Sequence, residues 1–317
     1  MSSRSNDQGR AYEYITLVTL HTEISKIRKA AIVQNSSLEA AKDAWNNLSK
    51  SMQHLLAVSA VSFVPEIFDL EPLILEDDDD CVELLIQQDK KGEGGDVRDI
   101  LIIRSGIEWE VGLSMKHNHY AVKHSRLSPL IDFGEKWYGY KCSDNYWTMT
   151  NPIFERLNAL HASGTKWKEV PDKKKSIYVP ILRAFVDEIN RASYIYKDLP
   201  QKLTEYLLGE YDFYKVISID REHTTRINTF NLRGTLNLDG KVKKAKKKIP
   251  KTLLPTRIVN LDFKPNSKTT VELYMNNGWQ FSLRIHSADT IVQNSLKFDV
   301  ESIGMPTTIV TINCRWK

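Results

Sequence analysis

The chain has 317 residues, 41% hydrophobic and 26% charged, which is enough to bury one large core or two modest ones without covalent staples. Its seven Trp and thirteen Tyr exclude the aromatic-poor class of disordered chains. The net charge is only +4, but acid gathers at residues 76–80 and base at residues 241–251, an uneven pattern that suits a polyanion partner.

Cys81, Cys142 and Cys314 lie far apart, with no CxxC or Cys/His spacing that would close a zinc site and no disulfide framework. A reducing cytoplasm is the expected compartment. The opening SSRSNDQGR has no apolar core of a secretory signal, and no run approaches the ~18 apolar residues of a membrane span. A soluble protein is expected.

In chain order, residues 12–27 place Tyr12, Ile15, Leu17, Val18, Leu20, Ile24 and Ile27 on one helical face. Asn35-Ser36-Ser37 offers an N-cap for a second helix, from about Leu38 towards Val61. Pro65 and Pro72 are expected to end that region, and residues 77–80 to form a solvated turn. Val82 to Ile86 reads as a strand, residues 90–95 as a glycine-rich turn, and the apolar run after Asp99 as another strand. WEVGLSMK, residues 109–116, is the cleanest period-2 segment. Trp109, Val111, Leu113 and Met115 face one way; Glu110, Gly112, Ser114 and Lys116 face the other. Residues 131–208 read mainly as helix, best at 153–161 and 177–196. The lysine-rich run 241–251 breaks the chain, as a solvated loop or as one that wraps a duplex. Short strands are expected at 256–263, 269–275, 279–286, 296–300 and 308–314, with Asn277-Gly278 as a hairpin turn.

Hydrolysis of a phosphodiester with a metal needs carboxylates to hold the ion against the phosphate and a cation to orient water and offset charge. Two neighbouring strands can bring Asp99 and Lys116 to one such point, although an ordinary hairpin with a charged end gives the same spacing. The segments GGDVRDILIIR and WEVGLSMKHNHYAVKHSRLS, with SNDQGRAYEYI, LRIHSA and LKFD, resemble the HaeIII family of type II restriction endonucleases, members of the PD-(D/E)xK fold. The resemblance implies Mg²⁺-dependent cutting of double-stranded DNA at GGCC, between the central G and C, by a homodimer.

Residue by residue, Asp99 matches the motif's aspartate and Lys116 its lysine, while Ser114 stands where the second acid is usual. Glu110, Glu13, Asp132 and Glu135 are candidates for the replacement carboxylate. Glu110 lies roughly 13 Å from Ser114 along an extended strand, and Glu13 sits in a first helix like that of the fold. Asp96 is an alternative to Asp99 as metal ligand. Next to Lys116, His117, Asn118, His119, Lys123, His124 and Arg126 are candidates for phosphate or base-edge contact, against a solvated connection or a three-histidine metal site. Arg284 and His286 share a strand face and are candidates for base reading.

The expected architecture is a mixed α/β (α+β) nuclease core. Helices and the catalytic core occupy 1–130, a mainly helical region with the basic loop 131–250, and a β-rich recognition part 251–317. A palindromic target read by identical subunits fits a two-fold dimer. Rival readings are a non-catalytic DNA-binding protein and a structure-specific repair nuclease on the same fold.

Overall fold

A computed structural model describes residues 4–88, 96–119, 121–287 and 289–317, without the side chains of 4, 5 and 121–124. The glycine-rich turn read at 90–95 lies outside the described residues. The chain forms two compact units that interleave in sequence: residues 1–120, 209–252 and 307–317 make one, and 121–208 with 253–306 make the other.

The first unit is built on a mixed seven-stranded sheet in the order β1-β2-β3-β4-β6-β7-β12. Its strands are β1 (Ala30–Ile32), β2 (Val82–Ile86), β3 (Ile100–Arg104), β4 (Trp109–His117), β6 (Phe213–Ile219), β7 (Thr224–Phe230) and β12 (Thr311–Arg315). β2, β3 and β4 run antiparallel, whereas β6 lies parallel to β4. Helices α1 (Arg4–Ile24), α2 (Ser36–Asn46) and α3 (Lys50–Leu70) complete the unit; α1 packs on β1, β2 and β4, and α3 on β7 and β12. All seven residues of β6 are buried. A central strand covered on both faces loses the alternation that marks a one-sided strand, which is why sequence reading passed over it.

Three local expectations are corrected. The single helix expected over 38–61 is two, because Ser49 caps a new helix by accepting from Met52 N. Pro65 does not end that helix, which continues to Leu70. Pro65 lies on the exposed side, where water can satisfy the carbonyl that its missing N–H would have bonded, while Phe63, Val64 and Ile67 hold the buried side in the core. By length and composition α3 could cross a bilayer, but its apolar stripe is spent on the core of this unit.

Within the turn expected at 77–80, Asp77 and Asp79 are exposed as expected, but Asp78 and Asp80 form a clamp. The fully buried Arg104 donates to Asp78 Oδ2 at 2.8 Å, to Asp80 Oδ1 at 2.7 Å and to Leu73 O at 2.7 Å. Arg28 shares Asp80 from the other side. These arginines hold the Asp80 carboxyl below the usual carboxylate range. A buried guanidinium needs such partners, since an unpaired buried charge costs several kcal/mol.

The lysines of the 241–251 run are exposed, as a solvated loop requires, and several of them also pair with nearby acids. Lys246 pairs with Asp69 at 2.7 Å, Lys248 with Asp239 at 2.5 Å, and Lys247 with Glu66, while Ala245 and Ile249 are buried.

The second unit joins four helices to an antiparallel sheet in the order β5-β11-β10-β9-β8. The helices are α4 (Phe133–Tyr138), α5 (Asp144–Ala162), α6 (Val179–Ile195) and α7 (Leu199–Leu208). The strands are β5 (Ala121–Leu127), β8 (Ile258–Phe263), β9 (Thr270–Met275), β10 (Gln280–His286) and β11 (Leu296–Gly304). Asn277 and Gly278, at φ 61° and 86°, make the left-handed turn between β9 and β10 that their residue types favour. One sheet face carries Val271, Leu273, Leu283, Ile285, Phe298 and Val300, all buried. The opposite face carries Arg284, Asp299 and Glu301 and is polar, as one-sided antiparallel sheets are.

Candidate active site

Asp99 ends the segment that enters β3, and its N–H donates to Leu113 O at 2.8 Å, which fixes it opposite Ser114. Three donors converge on one carboxylate oxygen. Met115 N reaches Asp99 Oδ2 at 2.6 Å, Lys116 Nζ at 3.1 Å and Ser114 Oγ at 3.3 Å. Asp99 Oδ1 has no partner among the described residues. The Asp99 and Lys116 side chains are 26% and 27% exposed, so the pair is sheltered yet reachable from solvent.

Ser114 is 3% exposed and donates to Asp99, so the position of the usual second acid supplies a hydrogen-bond donor here. The polar face of β4 is thus covered at Gly112 and Ser114, half-buried at Lys116 and exposed at Glu110. Gly112 on the same face gives room to Arg98: a Cβ there would lie 2.1 Å from Arg98 Cδ.

Arg98 organises the other acids. It donates to Asp96 Oδ1 at 2.9 Å and Oδ2 at 2.8 Å, to Glu110 Oε1 at 2.7 Å, and stacks 4.0 Å from the Tyr211 ring centroid. Gln87 Nε2 donates to Asp96 Oδ2 at 2.9 Å. Burial works to raise the Asp96 carboxyl, but the Arg98 and Gln87 hydrogen bonds win and hold it low. Asp96 and Glu110 are therefore engaged by Arg98, not gathered with Asp99.

Glu13 lines a cavity of about 340 Å³ with Arg10, Ser36, Ser37 and Gln87. Gln87 N donates to Asp99 O at 2.9 Å, which links that cavity's wall to the Asp99 backbone. No group of three or more His, Cys, Asp or Glu side chains sits in metal-binding range of one another among the described residues.

Comparison with known proteins decides what this arrangement belongs to. A sequence model of the family described as HaeIII restriction endonuclease matches residues 9–306. The Type II restriction enzyme HaeIII of Haemophilus aegyptius is 49% identical over 318 residues, covering 100% of both chains. The chain belongs to the HaeIII restriction endonuclease family. It is a type II restriction endonuclease, a site-specific deoxyribonuclease whose substrate is DNA. No solved structure matches it.

The endonuclease's remaining candidate residues fall in both units. In the first, His117 Nε2 lies 3.0 and 2.9 Å from the two oxygens of Asp220, and Asn118 Nδ2 donates to Asp220 Oδ2 at 3.0 Å. Asn118 Oδ1 in turn accepts from Asp220 N. Burial acts to raise the Asp220 carboxyl, while hydrogen bonds from His117 and Asn118 bring it below its ordinary value. His119 is exposed.

In the second unit, Asp132 caps α4, accepting from Glu135 N and Cys142 N, each at 3.1 Å, and Glu135 stands in the first turn of that helix. Arg126 is exposed and donates to Ser295 Oγ at 3.1 Å. The side chains of Lys123 and His124 lie outside the described residues. Arg284 and His286 share a face and both reach Asp299, at 2.8 and 3.1 Å.

Arg98, Gln87, Asp220 and Asp299 were missed by sequence reading. Arg98 had a local signal, since it sits between Asp96 and Asp99. Asp220 stands 103 positions from His117, so nothing local marks it.

Proposed function

We propose that this endonuclease cuts double-stranded DNA at GGCC, between the central G and C, with Mg²⁺, leaving 5′-phosphate and 3′-hydroxyl ends. The observation that carries the catalytic part is the pairing of Lys116 with Asp99 at the ends of two hydrogen-bonded strands, with Asp99 Oδ1 left open. The target is supported by full-length similarity to HaeIII.

The donor set favours a hard cation at Asp99 over two other candidates. Asp96 has both oxygens filled by Arg98 and Gln87, and Glu110 is bound by Arg98. Asp99 Oδ1 is the first ligand in this reading, and Glu13 is the acid we favour as the second, in place of the one absent at Ser114. Carboxylate oxygens suit Mg²⁺. When bound, the ion supplies charge stabilisation at the scissile phosphate.

The chain's own groups do the rest. Three donors on Oδ2 hold the Asp99 carboxylate in one orientation, which leaves Oδ1 pointing away from the cage. Lys116, anchored to that cage, orients the attacking water for in-line displacement and offsets charge gathering on the phosphate. His119, Lys123, His124 and Arg126 are proposed to touch DNA phosphates, and Arg284 and His286 to touch bases. His117 and Asn118, assigned to DNA contact on sequence, are instead proposed to act through Asp220, which both of them contact. A homodimer would match a two-fold target, and a cytoplasmic location follows from the substrate.

Plasmid DNA incubated with the protein and Mg²⁺ tests this reading, with EDTA as control and the fragment ends sequenced. Discrete bands ending GG and CC are expected. Bands at another sequence would remove the GGCC assignment, and undiminished cutting in EDTA would remove the metal. Sedimentation velocity reads the subunit number.

A further inference from the structure

The polar face of the second unit's sheet holds a concave site of about 560 Å³ whose walls include Lys264, Ser282, Arg284, Asp299 and Glu301. Cross-strand register puts Arg284 directly opposite Asp299 and Ser282 opposite Glu301. Side chains on one face of an antiparallel pair stand together, so Ser282, Arg284, Asp299 and Glu301 are set by the sheet, while the loop at 264–267 supplies another part of the wall.

Its charges are unequally satisfied. Arg284 donates to Asp299 at 2.8 Å while its side chain stays 61% exposed; Asp299 is only 14% exposed. The carboxylate therefore restrains the guanidinium through one nitrogen, and its other N–H groups have no partner among the described residues. Lys264 pairs with Glu272 at 3.2 Å. Glu301 is exposed and has no partner among the described residues.

A carboxylate facing a polyanion is a liability unless it meets a donor. In the major groove the cytosine N4 amino group is such a donor, and guanine O6 and N7 are acceptors matched to an arginine fork. Diagonal neighbours on adjacent strands are about 7–8 Å apart, about two base-pair rises at ~3.4 Å each.

We propose that this sheet face reads base edges, with Arg284, aligned by Asp299, donating to guanine and Glu301 accepting from a cytosine amino group. The proposal rests on the reading of the chain as a sequence-specific DNA cutter. Glu301 serves specificity twice, since it attracts cytosine N4 and repels a base edge that presents only acceptors. Asp299 is a positioning residue for Arg284.

The test measures binding of the full-length protein in Ca²⁺ to a duplex carrying the site that the wild type cuts, and to each single base-pair variant of it. Glu301→Gln should lose about 5- to 150-fold of discrimination at one cytosine position, the range of one good base contact. Arg284→Ala should lose a similar factor at one guanine position, and Asp299→Asn a smaller factor at the same position. Uniform weakening across all duplexes, with a reduced salt slope, would make these residues phosphate contacts and overturn the proposal. Wild-type discrimination retained in both Glu301→Gln and Arg284→Ala would overturn it as well. If the wild type itself neither cuts nor discriminates, the fault lies in the underlying reading and not in this face.

Discussion

Lys116 Nζ and Asp99 Oδ2 stand 3.1 Å apart although 17 positions separate them in the chain. The contact is made by register: β3 and β4 pair so that Ile100 opposes Leu113, which sets Asp99 beside Ser114 and brings Lys116 to the same carboxylate. Because the lysine and the peptide N–H of Met115 share one oxygen, the pair is held as a unit rather than as two independent side chains.

Lys116→Ala should lower the single-turnover cleavage rate by about 10²- to 10⁴-fold, the usual range for a positioned proton-transfer or water-orienting group. Duplex binding in Ca²⁺ should change by less than about tenfold. Cleavage at the wild-type rate would remove Lys116 from the chemistry.

Gly112→Ala should disturb the neighbouring network without touching Asp99. The added Cβ would meet Arg98 Cδ at 2.1 Å and Cγ at 2.6 Å, so Arg98 must leave Asp96 or Glu110. Overpacking of this kind costs about 1–3 kcal/mol, read as a lower urea midpoint with an unchanged slope. An unchanged midpoint would mean that Arg98 has room to move that this packing does not provide.

Glu71 makes stability depend on pH. Burial, partly opposed by hydrogen bonds from Tyr214 and from Asn237 N, pushes its carboxyl from the usual 4.5 up to about 7. A folded value above the unfolded one means that the native chain holds the extra proton between about 4.5 and 7. Stability from this group is complete below that window and is lost as pH rises through it, by an amount on the order of 3 kcal/mol. Glu71→Gln keeps an acceptor for Tyr214 and Asn237 and cannot ionise. The difference in unfolding free energy between wild type and variant should therefore slope across that window and flatten above it. A flat difference throughout would place the native carboxyl at its ordinary value.

How much of this was legible in the sequence depends on how local each cause is. The period-2 pattern of residues 109–116 and the apolar run after Asp99 report two strands and a shared face, and the structure pairs them accordingly. β6 carries no alternation because both its faces are buried. Asp78 and Asp80 look like part of a solvated turn until Arg104 and Arg28, 24 and 52 residues away from Asp80, are brought to them. Lys246 and Lys247 likewise look unpaired until α3 offers Asp69 and Glu66. Charge runs declare their composition, but only the fold decides whether their partners are internal.

Asp220 sits at the end of β6, where the parallel pairing with β4 finishes at His117 and Ser218. Its carboxylate accepts from Asn118 and contacts His117 Nε2, and its N–H donates to Asn118 Oδ1, so it closes both sides of the strand end that follows Lys116. Asn118 has φ 51°, a left-handed conformation that Asn tolerates better than most residues and that these bonds hold in place. Removing the carboxylate frees two polar side chains, one of them, His117, only 5% exposed. Asp220→Ala should cost about 1–3 kcal/mol of stability and slow cleavage by about tenfold, with Lys116 chemically intact but less well placed. Asp220→Asn keeps one acceptor oxygen and should recover part of both losses. Thermal unfolding and single-turnover rates measured on the two variants together check this, and an alanine variant with wild-type rate and midpoint would show that β4 holds Lys116 without help from β6.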